Sequence, residues 1–176
     1  MKIFELSEKP IVWVDLDGVL ADLFNHVADI HDVEHYNNMH REQWDDFFRE
    51  SNAEELFASL PVFDTANELL TMVVELFGSY KILSSPLNFD RQGSIRGKIR
   101  WLDKHITVPD NGRVFEHEKY KHAKQPNGTP NILIDDFRKN IDLWNQAGGI
   151  GIKFQSDENT LEQLKQQLID IRSRFR

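Results

Sequence analysis

Ile11-Val12-Trp13-Val14-Asp15-Leu16-Asp17-Gly18-Val19-Leu20 decides how the rest of the chain is read. Four apolar residues in a row describe a buried strand. Two carboxylates follow with one residue between them, then a glycine able to turn the chain sharply. Like charges held this close raise the free energy unless a cation or a shared proton offsets them. The spacing therefore predicts a metal-assisted site at a strand end, with one acid as nucleophile and the other as proton shuttle.

Outward from that strand, residues 19–60 are rich in acids, histidines and aromatics and contain no glycine or proline, which reads as a helical insert. Thr65-Ala66-Asn67-Glu68 has the form of a capping box opening a helix that Gly78 closes. Tyr80-Lys81-Ile82-Leu83 is a short strand ending at Ser84-Ser85-Pro86, and Ser94 is placed to cap a helix through Ile95, Ile99 and Leu102. Strands are also expected at 113–116, at 131–134 ending on Asp135-Asp136, and at 150–154. A helix is expected at 138–146, stopped by Gly148-Gly149, and a last one is capped by Thr160 with Gln163. Strands that alternate with helices predict a mostly parallel sheet covered on both faces. Such sheets bind ligands at the carboxyl ends of their strands. Asp15/Asp17, Ser84/Ser85 and Asp135/Asp136 all fall at that end.

Size and composition narrow the class. At 176 residues with 40% hydrophobic content the chain fits one globular domain with a small insert. No cysteine is present, which excludes disulfides and thiolate metal sites. Lys2, Glu5, Glu8 and Lys9 break up the first ten residues, so no signal-peptide stretch is expected there. No apolar run approaches the ~20 residues a membrane helix needs, and a cytoplasmic protein is expected. The net charge of −8 and scattered basic residues argue against nucleic acid as the partner. A small anionic substrate remains compatible where local cations overcome the global field.

Asp15-Leu16-Asp17-Gly18-Val19-Leu20, then Ile82-Leu83-Ser84-Ser85-Pro86, a lysine, and Ile132-Leu133-Ile134-Asp135-Asp136 together resemble the haloacid dehalogenase superfamily. Asp-Gly-Val-Leu-Ala-Asp at 17–22, Ser-Ser-Pro at 84–86, Leu-Ile-Asp-Asp at 133–136, and Asn140-Ile141-Asp142-Leu143-Trp144 followed by Gly148-Gly149-Ile150 resemble its 5'(3')-deoxyribonucleotidases of phage and bacterial type. The resemblance spans about residues 11–154. It implies an α/β fold with a Rossmann-like parallel sheet and helices on both faces. The phosphatase core would comprise 1–19 and 61–176, with a small helical cap inserted over 20–60 after the first strand.

The same resemblance implies a Mg²⁺-dependent phosphomonoesterase acting on (deoxy)nucleoside monophosphates. Asp15 would form an aspartyl-phosphate, and Asp17 would protonate the leaving oxygen and then deprotonate water. Mg²⁺ would be held by Asp15, the Asp17 backbone carbonyl and a carboxylate of the 135/136 pair, with Asp136 favoured and Asp135 not separable from it by sequence. Ser84 would hydrogen-bond the transferring phosphoryl group, assisted by backbone amides near Ser85. One lysine of Lys119, Lys121 and Lys124 would pair with phosphate and nucleophile, and Lys119 is preferred because His122-Ala123 follow at the family's spacing. Lys98 would contribute to substrate binding, and Arg96 would lie near the site.

The insert would lie over the site, exclude water and supply base-stacking aromatics, with Phe24, Trp44, Phe47 and Phe48 as candidates. Related nucleotidases carry an aromatic just after the first motif. Here Leu23 holds the matching position with Phe24 beside it, a departure that bears on base selectivity. Gly93-Ser94-Ile95-Arg96-Gly97-Lys98 imitates a P-loop but is one residue short, and Ile99 replaces the Ser/Thr. His31 and His35 invite a zinc reading if they share a helical face, but no third well-spaced ligand supports it. The competing readings are a phosphatase of the same fold acting on another small ester or on a nucleic-acid end, and a non-catalytic phosphate-binding scaffold. Oligomeric state is open, a homodimer included.

Overall fold

Val12, Trp13 and Val14 form strand β1 (Val12–Val14), and its alternating side chains serve two different cores. Val12 and Val14 face a large cluster with Leu69, Val73, Leu164 and Leu168. Trp13 faces a smaller one with Leu133, Ile141 and Trp144. The structure, a computed structural model, describes residues 9–175. The expectations for residues 1–8, the lack of a signal stretch and the start of the 1–19 segment, lie outside the described residues.

The sheet has five parallel strands in the order β3-β2-β1-β4-β5, with β2 Lys81–Ser84, β3 Arg113–Phe115, β4 Ile132–Asp135 and β5 Ile150–Lys153. Helices cover both faces, so this is the expected α/β architecture. β1 lies between β2 and β4, with Val14 in register with both Ile82 and Ile134. That central position brings the ends of three strands side by side, carrying Asp15, Ser84 and Asp135.

After β1 the amides of Val19, Leu20 and Ala21 all donate to the Leu16 carbonyl oxygen. This tight turn needs Gly18 at φ +81°. A Cβ there would also lie 2.6 Å from an Asp136 carboxylate oxygen and 2.8 Å from the Phe24 ring. Residues 20–60 contribute no strand to the five-stranded sheet. They form α1 (Leu23–Ile30), a 3₁₀ turn at Tyr36–Asn38, α2 (Arg41–Glu50) and α3 (Ala53–Ser59). The chain leaves and returns at one place, where Asp22 N–H donates to Pro61 and Phe63 N–H donates to Leu20. His31 falls just past the end of α1 and His35 before the 3₁₀ turn, so they share no helical face. Each packs on a ring instead, His31 on Phe47 and His35 on Tyr36.

The remaining helices are α4 (Ala66–Phe77), α5 (Arg91–His105), α6 (Arg138–Gln146) and α7 (Leu161–Ser173). Two caps differ from expectation. Thr65 already has helical backbone angles, so its hydroxyl makes no cap hydrogen bond and is left buried without a partner among the described residues. α5 begins a turn earlier than Ser94, because the Asp90 carboxylate accepts from Gly93 N–H at 2.9 Å and caps the helix first. The P-loop-like stretch 93–98 therefore lies inside a helix, with Gly93 N–H taken by the Asp90 carboxylate and Ser94 N–H by the Asp90 carbonyl oxygen. The Thr160/Gln163 capping box forms as expected. α3 is fastened to α5 by Arg96–Glu54 at 2.6 Å and Arg100–Glu55 at 2.7 Å, and Gly97 lets the Glu54 backbone and Phe57 approach closely.

Candidate active site

Asp15, Asp135 and Asp136 offer ligand oxygens that lie within 4.8 Å of one another at the carboxyl end of β1 and β4. Asp15 Oδ1 accepts from Leu16 N–H at 2.8 Å, and its Oδ2 lies 3.0 Å from Lys119 Nζ. Lys119, from a 3₁₀ turn at Lys119–His122, also donates to Asp135 Oδ2 at 2.6 Å. It is 2% exposed. Burial pulls its pKa down, but Asp15 and Asp135 outweigh that and hold it above the ordinary lysine range. Lys121 instead pairs with Glu118 on the exposed surface.

The neighbouring acids Asp135 and Asp136 differ in every contact. Asp135 is fully buried and accepts from Lys119, from Phe137 N–H at 2.8 Å and from the Asn140 amide at both oxygens. Those bonds occupy its lone pairs. Asp136 lines the cavity and has no hydrogen-bond partner among the described residues. Burial, then Asp15 and then Asp135 push its pKa up to about 9. Burial and Asp15 push Asp135 up to about 6, against the opposing pull of Lys119. A half-buried carboxylate with no donor, facing two other acids, fits a divalent cation with hard oxygen ligands. Asp15 and Asp136 would hold it, with Asp135 anchoring the strand end.

Asp17 lines the same cavity, and its Oδ2 accepts from Lys98. Burial raises the Asp17 pKa, Lys98 opposes this, and Asp15 adds to the rise. The cavity has a volume of about 650 Å³, which suits a ligand of small-molecule size. Ser85, Phe24 and Phe48 line it, and so does Leu23.

Residues 9–166 match the family described as "5' nucleotidase, deoxy (Pyrimidine), cytosolic type C protein". The chain belongs to this nucleotidase family. It is accordingly a hydrolase, a phosphoric monoester phosphatase of the 5'-nucleotidase type, in the haloacid dehalogenase superfamily. Solved structures agree on the fold. A family IA, variant 3 HAD hydrolase from Entamoeba histolytica superposes with a TM-score of 0.52 at 13% identity, covering 93% of this chain and 99% of that one. A hydrolase from Streptococcus pneumoniae gives 0.50 at 12% identity, covering 92% and 98%. A phosphonoacetaldehyde hydrolase-like protein from Oleispira antarctica gives 0.50 at 10% identity, covering 99% and 87%. No curated protein matches in sequence. No helix among the described residues is long and apolar enough to cross a membrane.

Within this nucleotidase site, three expected substrate contacts lie behind the cavity wall rather than on it. Ser84 is fully buried, with Ser85 in front of it. Trp44 does not line the cavity. Its ring stacks on Phe48 at 5.8 Å and meets the Phe24 ring edge-on at 6.0 Å, because a helix face rich in rings packs on itself before it packs on anything else. Lys98 is 1% exposed, its ammonium held by Asp17, Ser84 and the Ser85 carbonyl. Phe47 likewise packs on Phe48 and His31.

The nucleotidase cavity also has walls that the motifs did not reveal. Asn88, His117, Tyr120, Phe137 and Lys139 line it. His117 follows β3, so the rule that located the other strand ends points to it as well. Burial, with Arg91, Lys98 and Lys119 nearby, lowers its pKa and favours the neutral ring. Phe137 directly follows Asp136 and is 57% exposed, an apolar ring left open at the cavity wall. Its signal in the sequence is only adjacency to the acidic pair.

Proposed function

We propose that this nucleotidase hydrolyses deoxyribonucleoside 5'-monophosphates, pyrimidine forms foremost, to nucleoside and phosphate through an aspartyl-phosphate on Asp15. The observation that carries the reading is the buried ring of Asp15, Lys119 and Asp135, with the unpartnered carboxylate of Asp136 beside it. The family description supports the nucleotide and its sugar and base. Phe24 and Phe48 supply flat apolar surface for a nucleobase.

Asp15 Oδ attacks phosphorus while the ester P–O bond breaks. The leaving oxygen takes a proton from Asp17, and the nucleoside departs. Water then attacks the phosphorus of the aspartyl-phosphate, Asp17 takes its proton, and the Asp15–phosphorus bond breaks to release phosphate. Burial raises the Asp17 pKa, which favours the proton it needs at the first step. Lys119 engages two carboxylates and keeps its third donor for the phosphoryl oxygens. Bound Mg²⁺, held by Asp15 and Asp136, would neutralise phosphoryl charge and set the in-line approach. The helices of 20–60 act as the cap that shields the reacting group from water. A cytosolic location accords with the family description.

The test is a panel of phosphate esters with the purified protein and Mg²⁺. Thymidine and deoxyuridine monophosphates are expected to exceed purine deoxynucleotides, and all nucleotides to exceed sugar phosphates in kcat/KM. Turnover of a sugar phosphate equal to that of the best nucleotide would defeat the nucleotide reading.

A further inference from the structure

Phe137 occupies a position where a phenylalanine serves the fold poorly. It is the N-cap residue of α6, where a side-chain oxygen would satisfy a free helix amide, and its side chain makes no such bond. The ring is 57% exposed and packs in neither apolar core among the described residues. The backbone, by contrast, is well used. Its N–H donates to Asp135 Oδ1 at 2.8 Å, and its carbonyl oxygen accepts from Asn140 N–H at 3.0 Å. The main chain is therefore fixed while the ring stands outside the core. A residue that breaks a local rule with no gain to the fold is expected at functional positions.

The ring lines the same cavity as Asp15 and Asp136. Leu143, two turns further along α6 on the same helix face, lines it too, and Asn140 between them is committed to Asp135. The core thus presents an apolar surface of its own to the cavity, besides the one that Leu23, Phe24 and Phe48 present from residues 20–60. The two surfaces come together near Asp136. Phe137 follows it in the chain, and Phe24 reaches the space over Gly18 that the Asp136 carboxylate also reaches.

We propose that Phe137 is a specificity-determining residue: its ring receives the nucleobase of a nucleotide whose phosphate lies on Asp15. The inference rests on the nucleotide reading above and adds that selection is shared between the core and the cap. The Asp135 carboxylate holds the Phe137 backbone to the strand end that carries the acids, so the ring keeps a set distance from the reacting phosphate wherever the cap lies. A flat apolar face left in water gains from any base that covers it. An ester without a base has nothing to lay against the ring.

Two esters with the same sugar and phosphate separate this contact from the chemistry. Thymidine 5'-monophosphate and 2-deoxyribose 5-phosphate are each assayed with Mg²⁺ present. Phe137→Ser is expected to lower the ratio of their kcat/KM values about 10-fold, through the KM for the nucleotide, as loss of one stacking contact does. Phe137→Tyr, which keeps the ring, is expected to hold the ratio within about twofold. Serine is a favoured N-cap, so the Tm of Phe137→Ser should not fall below that of the parent chain. If Phe137→Ser does not fold, Phe137→Leu, which keeps apolar volume without a ring, carries the comparison. An unchanged ratio, or the same loss on both esters, overturns the inference and leaves the ring a structural group. An unchanged ratio with loss of self-association in sedimentation also overturns it and assigns the ring to a second copy of the chain. Equal turnover of the two esters by the parent chain overturns the nucleotide reading, and the inference with it.

Discussion

The floor of the cavity and its aromatic wall are built by different rules. On the floor, Asp15, Lys119 and Asp135 are each under 10% exposed, and every one is held by hydrogen bonds with named partners. On the wall, Phe24 and Phe48, with Trp44 behind them, are half-buried and held by apolar packing against one another and the core. Hydrogen bonds fix direction, while apolar packing fixes little beyond volume. The floor therefore tolerates almost no change, and the wall can be retuned. On the proposed function, chemistry would reside in the first and choice of substrate in the second.

The largest effect expected from breaking that contrast is at Asp15. Asp15→Asn should lower kcat on the order of 10⁴-fold, as loss of a nucleophile does, and leave the folded state intact because Lys119 retains Asp135. Steady-state kinetics beside circular dichroism checks it, and a loss below tenfold would reassign the nucleophile. The two adjacent acids sharpen the contrast within the floor. Asp135→Asn should destabilise by about 3 kcal/mol in urea unfolding, because it breaks a buried ion pair from one side. Asp136→Asn should not destabilise the metal-free protein and should abolish stabilisation by Mg²⁺. Equal destabilisation by both would erase the distinction drawn between them.

The pH dependence follows from the same pair. With its pKa pushed up to about 9, Asp136 holds a proton in the folded chain that the unfolded chain has released. Metal-free stability should therefore fall as pH rises from ~4 toward that value. A cation that binds only the ionised site reverses the trend. The Tm gain from Mg²⁺ should be small at pH 5 and larger at pH 8, and EDTA should remove it. Equal gains at both pH values would take Asp136 out of the metal site. The smallest effects belong to the wall. Phe48→Ala should raise KM about 10-fold with little change in kcat, the worth of one aromatic contact of ~1.4 kcal/mol. Trp44→Phe, behind the wall, should change KM about twofold at most. A collapse of kcat in either variant would show that the wall takes part in chemistry.

The contrast also explains what could be read from the sequence. The sheet and its helices were legible because apolar runs and turn residues report directly on backbone state. The convergence of Asp15, Ser84 and Asp135 followed from strand ends in a parallel sheet, a consequence of topology. Helix starts were legible only where one candidate competed. Thr160 had no rival, whereas Asp90 displaced Ser94 by capping first. The difference between Asp135 and Asp136 depends on which carboxylate Phe137 N–H and Asn140 reach, and no local pattern encodes that. Lys98 was named from the sequence as a substrate contact, but its three partners come from two other elements and become visible only when α5 is docked. Trp44 and Phe48 lie four residues apart on one helix, and periodicity cannot tell which ring faces the ligand.

Gly97 and Lys98 are consecutive on α5. The first admits Glu54 and Phe57 of α3, and the second holds Asp17 with the Phe57 ring against it. Exchangeability is thereby divided within residues 20–60. On the proposed function, a substitution at Phe48 on α2 would alter substrate fit without touching Lys98, whereas a substitution in Ala53–Ser59, at Phe57 or at the acids facing Arg96 and Arg100, would act on the helix that carries Lys98.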